Sequence, residues 1–149
     1  MPALLHNCVF WAAFLAWGLA QGGKVPIAYI RTREWDWGLV VSPGGMPSSH
    51  SALVSAAAFA AGLCDGFDSP LFGVAVAFAA IVVYDATGIR RQAGEHAALI
   101  NSLVRDLQAG HWPKGEALRE VLGHTPWEAF WGVLLGVGSA LVLWWFWHP

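Results

Sequence analysis

Residues 44–52, with the sequence GGMPSSHSA, turn the chain and lead directly into a long apolar segment. The glycines permit close backbone approach, and Pro47 fixes φ just before Ser48, a favourable N-cap residue. The helix that follows therefore carries hydroxyl groups and the imidazole of His50 in its first turn. Such a helix start attracts anions, because its unpaired N–H groups and the positive end of the helix dipole point the same way. We interpret the stretch as half of a phosphate site with a built-in proton donor; the alternative is a loop with an ordinary serine cap.

The composition places this helix in a membrane. Apolar residues make up 56% of the 149 residues, charged residues only 12%, and ten residues are Trp. Long apolar stretches with Trp near their ends are typical of bilayer spans with interfacial aromatic anchors. The length suits one domain, so residues 1–149 are predicted to form a single membrane-embedded unit.

The hydropathy pattern predicts an all-α membrane bundle of about four transmembrane helices. Gly22–Lys24 ends or bends the first span, and residues 25–30 either extend that helix or lie along the interface. The second span is short for a full crossing and rich in Ala, which suits close helix packing. The predicted spans are Ala3 to about Gly22, Ser51 to about Leu63, Leu71 to about Tyr84, and Thr125 to Trp147.

An amphipathic helical insertion is predicted at residues 92–122. Its apolar residues recur at helical spacing, with charged residues mostly on the opposite face. This pattern is typical of a helix that lies on the membrane surface or against the bundle. The apolar face comprises Ala97, Leu99, Ile100, Leu103, Val104 and Leu107.

Threading four spans through a membrane places loops 23–47 and 90–124 on one face. All eight Lys and Arg residues then lie on that face, which the positive-inside rule makes cytoplasmic. Cys8 and Cys64 fall on the opposite face; a disulfide between them is geometrically feasible, but we interpret them as two small buried hydrophobic residues.

The same threading gathers most of the informative polar side chains onto the cytoplasmic face. Ionisable residues at membrane depth are costly, so such a cluster is a functional-site hypothesis. Cations, helix starts and imidazoles suit a phosphate better than a metal, which would require more carboxylates or thiolates. No metal and no other cofactor is expected. The cluster comprises Lys24, Arg31, Ser48, Ser49, His50, Asp85, Arg90, Arg91, His96, His124 and Glu128.

A second helix start at residues 124–128, with the sequence HTPWE, repeats the logic of the first. Thr125 is a plausible N-cap, Pro126 follows at the first helical position, and Glu128 lies where a capping-box carboxylate belongs. Alternatively, Glu128 accepts a hydrogen bond from a ring nitrogen of His124 and leaves the other nitrogen as a nucleophile. Both roles are compatible if the two carboxylate oxygens divide the tasks.

With these residues in place, the chain resembles the type 2 phosphatidic acid phosphatase superfamily, and most closely its small divergent membrane branch. That superfamily includes bacterial acid phosphatases and vanadium haloperoxidases, and its first two motifs are K-x6-R-P and P-S-G-H. Lys24 and Arg31 have the spacing of the first motif, with Thr32 in place of the proline. Residues 47–50 match the second motif, with Ser49 in place of the glycine.

The third motif, S-R-x5-H-x3-D, can be aligned in two ways. Arg90 and His96 satisfy its first half, but Ile100 stands where the acid belongs. His124 and Glu128 satisfy the second half, with Glu in place of Asp. We prefer a split motif in which Arg90 or Arg91 supplies the arginine and an insertion precedes His124. Gly132 and Gly136 then continue the small-residue helix expected after the motif.

The resemblance implies a metal-independent lipid phosphatase. His124 would attack phosphorus to give a phosphohistidine, while His50 protonates the leaving alkoxide and later activates water. Candidate substrates are phosphatidylglycerol phosphate, phosphatidic acid and isoprenoid phosphates. The phosphate would be bound by Lys24, Arg31, Ser48, Ser49 and Arg90 or Arg91.

The resemblance also implies a location and partners. We expect an integral protein of a bacterial inner (cytoplasmic) membrane with its active site facing the cytoplasm. The expected partners are the lipid phosphate and membrane lipids, with no nucleic acid, and the sequence is compatible with a homo-oligomer. The alternatives are a polyprenyl pyrophosphate phosphatase and a non-catalytic membrane scaffold that retains the motifs.

Overall fold

The computed structural model describes residues 5–42, 44–108 and 123–147. Those residues form helices, turns and no strand, which confirms the predicted all-α class. A 3-10 helix at Trp37–Val40 follows the first of the long helices. The helices with defined bounds are α1 (Cys8–Thr32), α2 (Ser49–Asp65), α3 (Pro70–Thr87), α4 (Ile89–Gln108) and α5 (Pro126–Trp147).

Helix α1 resolves the alternative left open for residues 25–30. It continues without a break through Gly22, Gly23 and Pro26 to Thr32, and Arg33 ends it in the left-handed conformation. Of the alternatives, an end at Gly22–Lys24 is excluded, and the extension through residues 25–30 is what the chain adopts. This extra length carries Lys24 beside the starts of the other helices.

Alanines form the centre of the bundle. They recur every four residues along α1 and α2, so that each helix presents a smooth stripe to the other. Small side chains let helix backbones approach closely, which is how apolar helices pack where lipid removes the hydrophobic driving force. The buried stripe comprises Ala12, Ala16 and Ala20 of α1, Ala52, Ala56 and Ala60 of α2, and Ala140 of α5.

Glycines bring α5 even closer to α2. A Cβ atom added at Gly132 would collide with the backbone oxygen of Ser48 and lie 2.9 Å from the Cβ of Ser51. At Gly136 it would collide with the Ser55 hydroxyl and the Ala52 carbonyl. Only glycine fits at these two positions. The small-residue helix that begins within residues 124–128 therefore packs against the helix that follows residues 44–48.

Helix α3 lies at the edge of the bundle. It packs against α2, and much of its outer surface consists of exposed apolar side chains, among them Val74, Phe78 and Ile81. Two helical stretches in the described part of the chain, Pro70–Arg105 and Pro126–Trp147, are long and apolar enough to cross a membrane. Both observations fit a membrane protein, and the total of four spans stays a prediction.

The predicted amphipathic insertion begins as α4. The helix starts at Ile89, three residues before the predicted boundary, and its apolar residues Leu99, Leu103 and Leu107 are exposed. This leaves an apolar stripe for a membrane surface or another part of the protein. Residues 109–122 of the predicted insertion lie outside the described residues.

A disulfide joins Cys8 to Cys64, with the two Cα atoms 7.2 Å apart. The interpretation of these residues as two small hydrophobic side chains is therefore wrong. Because α1 and α2 run antiparallel, the start of one meets the end of the other. The bond links those ends on the side of the bundle opposite the candidate site.

Candidate functional site

The starts of α2 and α5 are joined by a main-chain hydrogen bond. The N–H of Ser48 donates to the carbonyl oxygen of Glu128 at 3.0 Å, and Ser48 is fully buried. The bond fixes the register of the two site motifs against each other. As the threading predicted, both motifs therefore lie at one end of the bundle.

The side chain of Ser48 makes hydrogen bonds within the start of α2. Its hydroxyl oxygen caps α2 by accepting from the backbone N–H of Ser51 at 3.3 Å, and it also accepts from the Ser51 hydroxyl at 3.0 Å. With its N–H bonded to Glu128, Ser48 is a positioning residue. The side chain of Ser49 is buried beside it, whereas His50 is exposed at the mouth of the site.

His124 and Glu128 make the contact that the sequence offered as one of two alternatives. Nδ1 of His124 lies 3.2 Å from Oε2 of Glu128. The same Oε2 accepts from the backbone N–H of Thr125 at 3.0 Å, and the N–H of Glu128 donates to the Thr125 hydroxyl at 3.3 Å. Both predicted contacts are therefore present, but a single carboxylate oxygen makes them.

This contact orients the imidazole. A carboxylate only accepts hydrogen bonds, so we assign the ring proton to Nδ1, which leaves Nε2 as the nitrogen with a lone pair. The backbone N–H of His124 is held in turn by the carbonyl of Ala86 at 2.9 Å, in the last turn of α3. His124 is only 3% exposed. Its ring is thus fixed by a side chain and by the backbone.

His50 and His124 face each other across the two helix starts. Their ring centroids are 6.3 Å apart, with the ring planes inclined at 56°. The rings are close enough for one phosphoryl group to lie between them, although Nε2 of His124 is itself buried. The pairing is the one required for a nucleophile and a proton donor that act on opposite ends of one bond.

Lys24 supplies a buried positive charge near Glu128, the carboxylate that contacts His124. It is 2% exposed, and its Nζ donates to the carbonyl oxygen of Ser42 at 2.8 Å. Burial of an ammonium group is costly unless it is hydrogen-bonded or paired. The charge of Glu128 acts favourably on it, and both residues line a cavity of about 190 Å³ together with Leu39, Gly45 and Met46. The cavity is large enough for a small anionic group.

Gly45 shapes the wall of this cavity. Its φ of +89° lies in the left-handed region, which residues other than glycine rarely adopt. A Cβ atom at Gly45 would also lie 3.9 Å from Cδ of Lys24. The positive φ is therefore what favours glycine here, because a Cβ atom 3.9 Å from Lys24 would make only an ordinary van der Waals contact.

The remaining predicted phosphate ligands are placed differently. The side chains of Arg31 and Arg90 lie outside the described part of the structure. Arg91 pairs with Glu95 on the exposed surface of α4, with Nε and Oε1 3.1 Å apart. His96, the alternative nucleophile, is also exposed on α4. Among the described side chains, the structure brings together Lys24, Ser48, Ser49, His50, His124 and Glu128.

Sequence reasoning missed three groups that hold the site together. The carbonyls of Ser42 and Ala86 bind Lys24 and the backbone of His124, and main-chain acceptors leave no signal in residue type. The hydroxyl of Ser51 was detectable, because it follows the Ser48 cap by three residues and faces it across one turn.

Comparison with known proteins identifies a family and a relative. The family model described as "Divergent PAP2 family" matches residues 5–139. The chain is also similar to the uncharacterized membrane protein YuiD of Bacillus subtilis (strain 168), with 46% identity over 94% of this chain and 96% of that protein. No solved structure matches significantly.

Proposed function

Because the chain belongs to the Divergent PAP2 family, we propose that it is a membrane phosphatase that hydrolyses a lipid phosphate monoester through a phosphohistidine. Phosphatidic acid and phosphatidylglycerol phosphate are the leading substrate candidates. The observation that carries the proposal is the pair of imidazoles 6.3 Å apart, one of them fixed by a carboxylate.

The first step uses Nε2 of His124 as the nucleophile. Its lone pair forms a bond to phosphorus as the bond from phosphorus to the lipid oxygen breaks, and His50 donates a proton to that oxygen. The Nδ1 proton stays on the ring, where Glu128 stabilises the positive charge that develops. The products of this step are the lipid alcohol and phosphohistidine.

The second step reverses these roles. His50, now neutral, takes a proton from water as the water oxygen attacks phosphorus, and the bond to Nε2 of His124 breaks. Free phosphate leaves, and both imidazoles return to their starting states. An exposed His50 suits this cycle, because it must exchange a proton and admit water.

Charge on the phosphoryl oxygens is balanced by fixed donors. Lys24 is held at the cavity by Ser42 and Glu128, and the first-turn N–H groups of α2 near Ser49 add the positive end of a helix dipole. Arg31 and one of Arg90 and Arg91 complete the proposed set. Preorganised donors of this kind are usually the largest contribution to phosphoryl transfer.

The proposed location is the inner membrane of a bacterium, with the site on the cytoplasmic side. The distribution of Lys and Arg supports this orientation. The Cys8–Cys64 disulfide supports it as well, because it lies at the opposite end and such bonds persist in oxidising compartments. A reporter fused after Pro149 should be active outside the cytoplasm, and cytoplasmic activity would contradict the orientation.

The chemistry is tested by phosphate release from purified protein with phosphatidic acid, phosphatidylglycerol phosphate, a prenyl phosphate and a prenyl pyrophosphate. His124→Ala and His50→Ala should each lower turnover by at least about a hundredfold, and His96→Ala is the matched control with full activity. Rapid quenching should trap an acid-labile, base-stable phosphoenzyme in the unmodified protein and none in His124→Ala. Full activity of His124→Ala with loss in His96→Ala would overturn the assignment, and release from the pyrophosphate alone would favour the pyrophosphatase alternative.

A further inference from the structure

An apolar groove runs along the membrane-facing side of the bundle. Helix α3 packs mainly against α2 and only weakly against α5, which leaves a cavity of about 320 Å³ between α3 and α5 with α2 as its floor. Alanines at positions 58, 79 and 80 keep it open. Ser55 is the one polar residue in its lining, and its hydroxyl donates to the carbonyl of Ser51 at 2.6 Å. The groove therefore offers an apolar ligand no unmet polar group.

The groove begins close to the candidate site. Ser55 lies two helical turns beyond Ser48, a rise of about 10 Å, and Val83 precedes Ala86, whose carbonyl holds His124, by one turn. Its other end is closed by aromatic rings, because Phe67 packs against Phe59 and Phe72 with centroids 5.6 and 5.1 Å away. The groove is thus open at the end near the candidate site and closed at the opposite end.

The wall that α3 contributes has the length of one leaflet of a bilayer, whereas the walls from α2 and α5 each extend about 6 Å. From Phe72 to Val83, α3 rises about 16 Å at 1.5 Å per residue. Half the thickness of a bilayer's hydrocarbon core is about 15 Å. A hydrocarbon chain whose headgroup sits at the polar end would therefore end at the aromatic rings.

We propose that the groove between α2, α3 and α5 binds one hydrocarbon chain of the substrate lipid and that Phe72 limits the chain length. This rests on the proposed phosphatase function and extends it from the phosphate to the lipid tail. It commits the enzyme to substrates whose phosphate lies within reach of a single long chain. The chain would be selected by length and shape, because the groove supplies no polar recognition.

Ala80→Leu tests the groove by placing a larger side chain in its lining, with Ala77→Leu as the matched control; both alanines are exposed on the same helix, but only Ala80 lines the groove. In phosphatidylcholine vesicles, Ala80→Leu should raise the KM for long-chain phosphatidic acid about tenfold through the lost burial of a few methylene groups. Its activity on a short-chain phosphatidic acid should be unchanged, and Ala77→Leu should match the unmodified protein on both. Equal losses on both substrates, or none on the long one, would overturn the proposal.

Phe72→Ala should have the opposite effect, since it opens the closed end. Activity on chains longer than the leaflet should rise relative to shorter chains, and an unchanged preference would contradict the role of Phe72. Were a second copy of the chain to cover the groove instead, Ala80→Leu would change the oligomeric state on size-exclusion chromatography and leave chain preference intact, which would also overturn the proposal.

A readout independent of hydrolysis separates this proposal from the proposed function. Trace phosphatidic acid with a diazirine midway along one chain is photolysed in vesicles that contain the protein. Adducts should be more abundant at Phe59 and Val137 in the groove than at Phe78 on the outer face, and Ala80→Leu should reduce the groove adducts. If the unmodified protein releases no phosphate from any substrate, the phosphatase proposal fails. Binding of a hydrocarbon chain in the groove is rejected separately, by equal labelling of the two faces.

Discussion

Helix α5 has two very different neighbours. Against α2 it is so close that Gly132 and Gly136 leave no space for a methyl group, whereas against α3 it leaves a groove of about 320 Å³. The close contact lies under the imidazole pair and the open one faces lipid. Catalytic groups must be held to within fractions of an ångström, and a hydrocarbon chain needs only an apolar channel. One helix thus combines a close contact beneath the proposed catalytic pair with an open one at the proposed hydrocarbon groove.

The largest effect is expected from removing the charge of Glu128, which lies at the end of the close contact. Glu128→Gln retains an oxygen that can accept from the Thr125 N–H but loses the carboxylate that holds His124, so turnover should fall by about a thousandfold while the fold persists. Steady-state kinetics and circular dichroism check this. A variant with more than a tenth of normal turnover would show that the carboxylate does not assist His124.

Gly132→Val breaks the close contact itself. The added side chain collides with the Ser48 carbonyl, so the free energy of unfolding should drop by about 3 kcal/mol and activity should be lost. Gly138→Val is the matched control on the same helix, since a Cβ atom there meets nothing within 4 Å. Thermal unfolding in detergent measures both. Equal destabilisation by the two variants would show that helix propensity, rather than contact with α2, is responsible.

Thr125→Ala separates the effect of helix capping from the effect of the His124–Glu128 contact. It removes the hydroxyl that caps α5 but leaves the His124–Glu128 contact, so stability should fall by about 1 kcal/mol and turnover by less than about fivefold. The ratio of its activity to that of Glu128→Gln is the informative quantity. Similar turnover in the two variants would mean that the capping box, and not the carboxylate, orients the imidazole.

The smallest expected effect comes from Ser55→Ala, at the boundary between the two neighbours. The Ser55 hydroxyl lies 2.6 Å from the carbonyl of Ser51 in its own helix and 3.4 Å from that of Val133 in α5. Its loss should cost about 0.5–1 kcal/mol and slightly enlarge the groove. Unfolding measurements and the long-chain KM check this, and a large fall in turnover would assign Ser55 to the chemistry.

The close contact could largely be predicted from sequence, whereas the groove could not. Two capped helix starts, each beside a histidine, carry local signals in residue type and spacing, and Gly132 and Gly136 mark a small-residue face. The groove exists because α3 packs mainly against α2 and only weakly against α5. The sequence of α3 is apolar over most of its length, so it does not show which residues contact lipid and which contact protein. Position in the bundle, not composition, separates Ala80 from Ala77.

The outcomes at residues 22–30 and at the two cysteines have the same origin. The continuation of α1 through Pro26 and the joining of Cys8 to Cys64 both depend on what α1 packs against. Gly22 and Gly23 signal a helix end locally, but packing against α2 outweighs a cost of about 1 kcal/mol per glycine. Threading places both cysteines on one face of the membrane, but whether they meet depends on how α1 and α2 pack.

The hydrogen bond from Ser48 to Glu128 has a consequence for the order of events during biosynthesis. Ser55 and Val133, which face each other below it, are 78 residues apart in the chain. His50 is thus made and inserted long before His124 emerges, and the two imidazoles meet only when α5 docks on the helices already in place. A partly synthesised chain therefore lacks half of the proposed phosphoryl-transfer site, so any activity of that site would report that the bundle has assembled.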